Sequence, residues 1–369
     1  MEAPIPRSIE RLTCIALVLA SAAVRSEEPS AAGAPAPSTG TPAALAALDR
    51  GLAYLLETQE PEGFWKGPVG RKVHTRYIGH EAPHVGITAL AGSSLLARKG
   101  PAHRDAVRRA LRWVLDQSRE DGFIAAHGSR MYSHALATLF LARALGSELA
   151  PGFPDLEEKL ERAAGLIVRT QNAQGGWRYL PGAADSDLSV TACQVAALRE
   201  ARDAGVDIPD ETFRRAVMYV YRSAVPGSPT DPSPSGAFSY QLPGATPQFG
   251  PRQSFALTAA AVAALADAGE AELDEAVSGR RYLVLRRPPT QNAASRFDYY
   301  YGHFHALRAH RSEAVGSRAW RETILRELQS LQAEDGSWSD LVGPKYATAM
   351  ATLLLEEALV PPVRAVERK

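Results

Sequence analysis

One short pattern recurs along the chain and constrains its fold more than any other feature. It consists of Gln, three residues, Gly, one residue and Trp. Each copy follows an amphipathic helix and precedes a nearly all-apolar one. Repeated helix pairs bury their faces only against neighbouring pairs, so the sequence predicts an all-α repeat protein. The three regular copies are Gln59-Gly63-Trp65, Gln171-Gly175-Trp177 and Gln332-Gly336-Trp338.

The predicted helices are of two kinds. Segments such as 155–170 and 318–332 carry an apolar stripe opposite a charged face, which is typical of helices that touch solvent. Segments such as 131–145 and 254–266 are apolar all round, which predicts burial on every side. The fold is therefore expected to have an inner and an outer set of helices.

A recurring threonine marks the apolar segments and allows them to be counted. The last step between these threonines, 90 residues, is about twice the first, so a sixth apolar helix is expected near residue 303. Six apolar and six amphipathic helices result, and periodicity alone allows either an open solenoid or a closed ring. The threonines are Thr88, Thr138, Thr191, Thr258 and Thr348.

These units resemble the QW motifs of the squalene cyclase and protein prenyltransferase superfamily. The segments MYSHALATLFLARALG (131–146), GGWRYLPG (175–182) and YYYGHFHAL (299–307) are similar to single-barrel, cyclase-like bacterial proteins. The resemblance covers about residues 44–358 and implies a single-barrel (α/α)6 toroid, with six inner helices ringed by six outer ones. In such a fold the motif stabilises the turns: Gly reverses the chain, Trp covers it and Gln bonds exposed backbone ends.

The residues before and after this domain have a different character. Residues 1–25 contain an apolar run after Arg7 and Arg11, which predicts an export signal, with an uncleaved membrane anchor as the alternative. Residues 26–43 are rich in Ala, Pro and Ser, a composition that predicts a flexible tether. Residues 359–369 are predicted to form a short tail. We therefore expect a periplasmic or extracellular protein with no membrane span in its mature chain.

Charge and cysteine content exclude several classes of partner. The 41 basic and 41 acidic residues balance, so the chain has no broad basic field for nucleic acid. Two cysteines cannot form a disulfide framework or a four-cysteine zinc site. Zinc prenyltransferases carry an Asp-x-Cys pair where this chain has Pro251-Arg252-Gln253. We expect neither a metal nor another cofactor, and the oligomeric state is left open.

Asp185-Ser186-Asp187-Leu188 precedes the third apolar helix. This segment stands where squalene-type cyclases carry an Asp-x-Asp-Asp motif. The resemblance implies that Asp187 protonates an alkene, with Asp185 beside it. That chemistry needs a carboxylic acid kept neutral by apolar surroundings. Leu188 stands where the motif has its third aspartate. The alternative is that Asp185 or Asp187 caps the helix that begins near Leu188.

Candidate ligand-binding residues lie near the starts of the apolar helices, because the inner helices of a toroid begin at one rim of a central funnel. Aromatic faces there can stabilise a carbocation. The Pro- and Gly-rich segment 222–252 adjoins this rim and is either a lid or a neutral insertion. The candidates are Tyr132, His134, Trp177, Arg252, Tyr299, Tyr300, Tyr301, His303 and Phe304.

Two functions remain open. The first is an exported cyclase- or prenyltransferase-like toroid that holds an apolar ligand, such as an isoprenoid, in its funnel and uses Asp187 as an acid. The second is a non-catalytic toroid that binds a glycan, a peptide or a protein partner. The sequence does not decide whether the protein is an enzyme; if it is one, terpene cyclase, transferase and lyase chemistry all fit.

Overall fold

The computed structural model is mainly helical. It describes residues 41–71, 76–98, 100–226, 236–242, 252–287, 296–310 and 314–360, without the side chains of 41, 296–298 and 314–317. The predicted export signal lies outside the described residues, as do the tether up to residue 40, most of segment 222–252 and the tail beyond 360.

Twelve α-helices alternate between the two predicted kinds along the described residues, and β1 (Lys66–Val69) pairs antiparallel with β2 (His80–Pro83) ahead of α2. The sixth apolar helix, expected near residue 303, is α10. The amphipathic helices are α1 (Thr41–Glu57), α3 (Pro101–Asp116), α5 (Leu156–Arg169), α7 (Asp210–Ser223), α9 (Asp274–Leu285) and α11 (Ala314–Leu331). The apolar helices are α2 (Val85–Leu96), α4 (Met131–Leu145), α6 (Leu188–Asp203), α8 (Phe255–Asp267), α10 (Arg296–Ala309) and α12 (Pro344–Leu359).

The apolar helices form a closed inner ring. Each one packs against the next, and α12 packs back against α2. The amphipathic helices pack outside them, and α1 contacts both α11 and α12, so the outer layer also meets across the junction. The predicted single-barrel (α/α)6 toroid is therefore confirmed, and the open solenoid is excluded.

The glycine of each Gln-Gly-Trp unit allows two neighbouring outer elements to touch. Gly63, Gly175 and Gly336 have φ of +101°, +91° and +85°, a region that residues with a Cβ rarely adopt. A Cβ at Gly175 would also collide with the backbone oxygen of Arg215 on α7, and one at Gly336 with that of Arg50 on α1. The Gly336 contact joins the last repeat to the first.

The glutamine and tryptophan of each unit satisfy backbone groups at helix ends. Gln171 Nε2 donates to the carbonyl oxygens of Gly175 and Thr212, at 2.8 and 2.9 Å. Trp177 is almost fully buried, and its Nε1 donates to the Ile167 oxygen at 2.8 Å. The units at Gln59 and Gln332 repeat both sets of bonds.

The recurring threonine ties the inner helix to the same turn. The hydroxyl oxygens of Thr88, Thr191 and Thr348 accept the backbone N–H of the unit's tryptophan at 3.0 to 3.1 Å. Thr138 is fully buried in apolar helix α4, as the series predicts, but its hydroxyl donates within its own helix, to the His134 oxygen. In this repeat His134 takes the role of the threonine, because its Nδ1 accepts the backbone N–H of Ile124 in the turn.

The two ends of the ring are built differently. At the C-terminal ends of the inner helices, ion pairs join neighbours: Arg143 with Glu200 at 3.0 Å and Arg308 with Asp267 at 2.8 Å. Aromatic and polar side chains gather at the N-terminal ends. The loops that lead into the inner helices lie at this second end, and the candidate site is found there.

Candidate functional site

Asp187 is both the cap of α6 and a buried carboxyl with one oxygen unused. Its Oδ1 accepts the Val190 N–H at 2.8 Å and the Ser189 hydroxyl at 2.9 Å. The side chain is fully buried, and Oδ2 has no hydrogen-bond partner among the described residues. Capping therefore occupies only half of this carboxyl, so the two interpretations of Asp187 are compatible.

Burial disfavours the charged form of Asp187 and raises its pKa to about 6. The bonds from Val190 and Ser189, the nearby Arg178 and the Tyr240 hydroxyl oppose this shift without cancelling it. Arg178 Nε lies 3.8 Å from Asp187 Oδ2, beyond hydrogen-bonding distance. The result is a carboxyl that binds its proton more tightly than an exposed aspartate does.

Asp185 has a different environment from Asp187. Its side chain is 55% exposed, and Oδ2 accepts a charge-assisted bond from Arg178 Nη1 at 2.5 Å. Asn172 Nδ2 donates to its backbone oxygen at 2.8 Å. Asp185 therefore holds Arg178 and the loop before α6 in place, on the solvent side of Asp187.

Tyrosines from two inner helices bond Ser189, next to Asp187. Tyr132 on α4 places its hydroxyl 2.5 Å from Ser189 Oγ, and Tyr301 on α10 donates to the Ser189 backbone oxygen at 3.3 Å. Because α8 separates α10 from α6 in the ring, the Tyr301 bond crosses the space enclosed by the inner helices. We call this space the lumen. Tyr346 on α12 and Cys193 on α6 interact electrostatically and belong to the same group.

This group is apolar in character despite its hydroxyls. Tyr132, Tyr301, Tyr346 and Phe304 keep part of their surface exposed, whereas the other faces of their helices are almost fully buried. Burial raises the pKa of Tyr132 and Tyr301 well above that of a free phenol, and it raises that of Cys193 to about 12. All of these groups are therefore neutral at physiological pH. We call them, with Ser189, the lumen cluster.

A second set of aromatic and cationic groups forms the rim outside Asp187. The hydroxyls of Tyr179 and Tyr240 hydrogen-bond to each other across two loops. The guanidinium carbons of Arg178 and Arg252 lie 5.1 Å from the ring centroids of Tyr179 and Tyr240, respectively. That of Arg130 lies 5.9 Å from the Tyr179 ring. These distances are within the range of cation–π attraction.

Two predicted ligand-binding residues lie in the wall between inner and outer helices. His134 Nδ1 accepts the Ile124 N–H at 3.1 Å, and its Nε2 donates to the Ala163 oxygen at 3.2 Å, so both ring nitrogens are used. Burial lowers the pKa of His134 to about 4, which keeps the ring neutral. Trp177 is held by Ile167 and Thr191 as described above. We assign both residues to the wall.

On α10 the predicted residues divide between the wall and the lumen. Tyr299 donates to Glu327 Oε2 on α11 at 2.9 Å, and the His303 ring packs 5.7 Å from Trp320 on α11. Tyr300 is buried beside Tyr299, with ring centroids 5.2 Å apart. Tyr301 and Phe304 alone of the five predicted residues on this helix join the lumen cluster.

The structure brings Arg178 to the site, together with two residues that the sequence did not predict there, Ser189 and Tyr240. Ser189 lies two positions after the cap, where a side chain can reach both Asp187 and the lumen. Tyr240 lies in the loop before α8, and its backbone oxygen accepts the Leu188 N–H at 2.8 Å. The weak similarity between segments 176–182 and 237–244 was the available signal for Tyr240.

Neither a cluster of metal ligands nor a membrane-spanning helix is present within the described ranges. No group of three or more His, Cys, Asp and Glu side chains there is arranged to hold a metal ion. No helix in that part of the chain combines the length and apolar character needed to cross a membrane.

Comparison with known proteins identifies the fold. No protein-family model matches the chain. The type II terpene cyclase MstE from Scytonema, in a complex with its substrate geranylgeranyl dihydroxybenzoate, superposes with a TM-score of 0.60. The match covers 87% of this chain and 98% of that one at 16% identity. The fold is that of a terpenoid-cyclase-like α/α toroid.

Part of the chain is also similar in sequence to a curated protein. Drimenyl diphosphate synthase from Streptantibioticus cattleyicolor is 34% identical over 170 residues, which are 44% of this chain. The match spans 28% of that protein's length.

The same architecture also serves sugar chemistry. An α-1,6-mannanase from a Salegentibacter species, in a complex with α-1,6-mannotriose, superposes with a TM-score of 0.60 at 8% identity, covering 87% of this chain and 99% of that one. The fold alone therefore does not distinguish isoprenoid from glycan ligands. The side chains at the site have to make that distinction.

Proposed function

We propose that the protein is a terpene cyclase that starts its reaction by protonating an alkene, with Asp187 as the acid. One observation carries this proposal. The carboxyl is fully buried, one oxygen is fixed by the first turn of α6, and the other has no hydrogen-bond partner in the described part of the chain. The cap does not use this second oxygen, which lies 3.8 Å from Arg178 Nε and is therefore available to carry a proton.

Each part of the proposed reaction has a matching group. Asp187 Oδ2 delivers its proton to the terminal alkene carbon, and the hydrogen bonds to Oδ1 keep the carboxyl oriented while this happens. The faces of Tyr132, Tyr301 and Phe304 then stabilise the positive charge on carbon as rings close. The carboxylate that remains is stabilised by Arg178, whose Nε lies 3.8 Å away.

The proposed substrate is a linear isoprenoid. The lumen cluster supplies aromatic surface without a charged residue, which suits a hydrocarbon chain. The rim supplies Arg130, Arg178 and Arg252, which suit a polar head group that stays outside. The names of the compared cyclases, which refer to a geranylgeranyl substrate and a drimenyl diphosphate product, agree with this division.

Action outside the cytoplasm is part of the proposal. It rests on the apolar run and small residues within residues 1–25. In the described part of the chain Cys193 is a free, buried thiol, so no disulfide there ties the fold to an oxidising or a reducing compartment.

A non-catalytic binding toroid is the second candidate function. The observation that favours it is Leu188, which is fully buried where squalene-type cyclases carry a third aspartate. Without that residue, Arg178 and Tyr240 are the rim groups that lower the pKa of Asp187.

Incubation with isoprenoid probes under single-turnover conditions tests the proposal. We expect enzyme equilibrated in D2O to convert farnesyl diphosphate, geranylgeranyl diphosphate or squalene into a cyclic product. That product should carry one solvent deuterium on the carbon that was protonated, as mass spectrometry will show. The same reaction in H2O is the control. If all three probes are recovered unchanged while a glycan or peptide binds, the second candidate function is correct.

The proposed acid also predicts a pH dependence of stability. Because its pKa is raised to about 6, protonated Asp187 stabilises the fold most at low pH, and this contribution is lost as the pH rises through the folded pKa. We expect the wild type to lose about 2–3 kcal/mol relative to Asp187→Asn between about pH 4 and pH 8. Urea denaturation of both proteins measures this. A constant difference across that range would show that Asp187 is not the buried acid.

A further inference from the structure

The hydrogen bonds around Ser189 have a defined direction. Its hydroxyl has a single proton, and this proton is donated to Asp187 Oδ1 at 2.9 Å. The bond between Tyr132 Oη and Ser189 Oγ, at 2.5 Å, must therefore have Tyr132 as the donor. The chain of donors runs from Tyr132 through Ser189 to Asp187.

This series of hydrogen bonds connects the lumen to Asp187 Oδ1, the carboxyl oxygen that does not protonate the substrate. Tyr132, on α4, is only partly buried, and its ring centroid lies 6.2 Å from that of Tyr179. At the other end Asp187 Oδ1 is enclosed by α6. In the proposed function, Oδ2 gives a proton to the substrate, after which the carboxylate can receive a proton at Oδ1.

We propose that Tyr132 ends the cyclisation by accepting the proton that the final carbocation loses. The inference rests on the proposed function. The C–H bond next to the cationic carbon breaks and its electron pair forms the new alkene. The proton goes to Tyr132 Oη, the phenol proton passes to Ser189 Oγ, and the serine proton passes to Asp187 Oδ1. The substrate is isomerised without net gain or loss of protons. Rotation of the carboxyl by half a turn then brings the protonated oxygen to the position from which Oδ2 protonated the substrate.

Two neighbouring groups, one in the lumen cluster and one beside it, are less suited to this step. Tyr301 donates to a backbone carbonyl, which cannot pass a proton on. His305 packs 4.5 Å from the Tyr301 ring, and its Nδ1 has no hydrogen-bond partner among the described residues. No hydrogen bond among the described residues links it to Asp187, so a proton that it accepted would remain there and block the next turnover.

Product analysis of paired variants tests this inference, with geranylgeranyl diphosphate and farnesyl diphosphate as probes. The wild type should release a cyclic alkene. In Tyr132→Phe the cation persists until water captures it, so we expect the wild-type alkene to fall about a hundredfold while cyclic alcohol accumulates. Ser189→Ala breaks the same chain at its middle and should shift the products in the same direction.

Tyr282→Phe, on outer helix α9, is the matched control and should leave the products unchanged. A wild-type alcohol product, or an unchanged alkene from folded Tyr132→Phe or Ser189→Ala, would overturn the inference and leave the proposed function standing. The same is true if His305→Gln alone shifts the products. A wild type that consumes neither probe would overturn the proposed function, and this inference with it.

Discussion

Asp187→Asn is expected to abolish the conversion of linear isoprenoids while leaving the fold intact. Asparagine lacks the proton that starts the reaction, so we expect turnover to fall by about a hundredfold to ten-thousandfold. Asparagine is as good an N-cap as aspartate, so its amide oxygen can still accept the Val190 N–H that Oδ1 accepts now. Turnover assays and thermal unfolding on the same preparation measure the two effects separately.

Two further variants make this result interpretable. Asp187→Ala removes the acid and the cap together, so it should also lose about 0.5–2 kcal/mol of stability. Asp185→Asn changes an exposed carboxyl that pairs with Arg178, and its effect on turnover should stay within about tenfold. Full activity in Asp187→Asn would exclude Asp187 as the acid.

Trp177→Ala should give the largest loss of stability of any variant considered, about 3–5 kcal/mol. The indole is 2% exposed between α5 and α6, and its Nε1 donates to the Ile167 oxygen at 2.8 Å. Truncation leaves a cavity in the wall and an unpaired carbonyl at the end of an outer helix. Denaturant titration measures the loss.

Trp113→Ala is the matched control for this variant. Trp113 lies on outer helix α3, is only partly buried and packs against Phe64 with ring centroids 5.3 Å apart. Its truncation should cost clearly less than that of Trp177. If Trp177→Ala were as stable as the wild type but failed to turn over substrate, Trp177 would belong to the ligand site after all.

The fold could be predicted from the sequence because its determinants are local and repeated. The turn needs Gly, its cover needs Trp, and the apolar and amphipathic helices differ in composition over a whole segment. Ring closure was not predictable from periodicity, because it depends on the contact between the turn at Gly336 and the backbone of Arg50, 286 residues apart in the chain.

The site could be predicted less well, for a geometric reason. Successive helical residues point about 100° apart, so neighbours in the sequence face different surroundings. Tyr299 and Tyr301 are two residues apart, yet one bonds Glu327 on an outer helix and the other bonds α6 across the lumen. Composition shows that aromatic residues gather on α10, but only the rotation of the helix shows which of them meet a ligand.

Closure of the ring also bears on how the protein unfolds. A linear repeat array has two ends, and its terminal repeats can open while the middle stays folded. Here α12 packs on α2 and α1 packs on α11 and α12, so every repeat has a neighbour on both sides. Opening one repeat breaks two interfaces at once, which makes partly open states costly. The domain is therefore expected to lose its structure in a single cooperative transition.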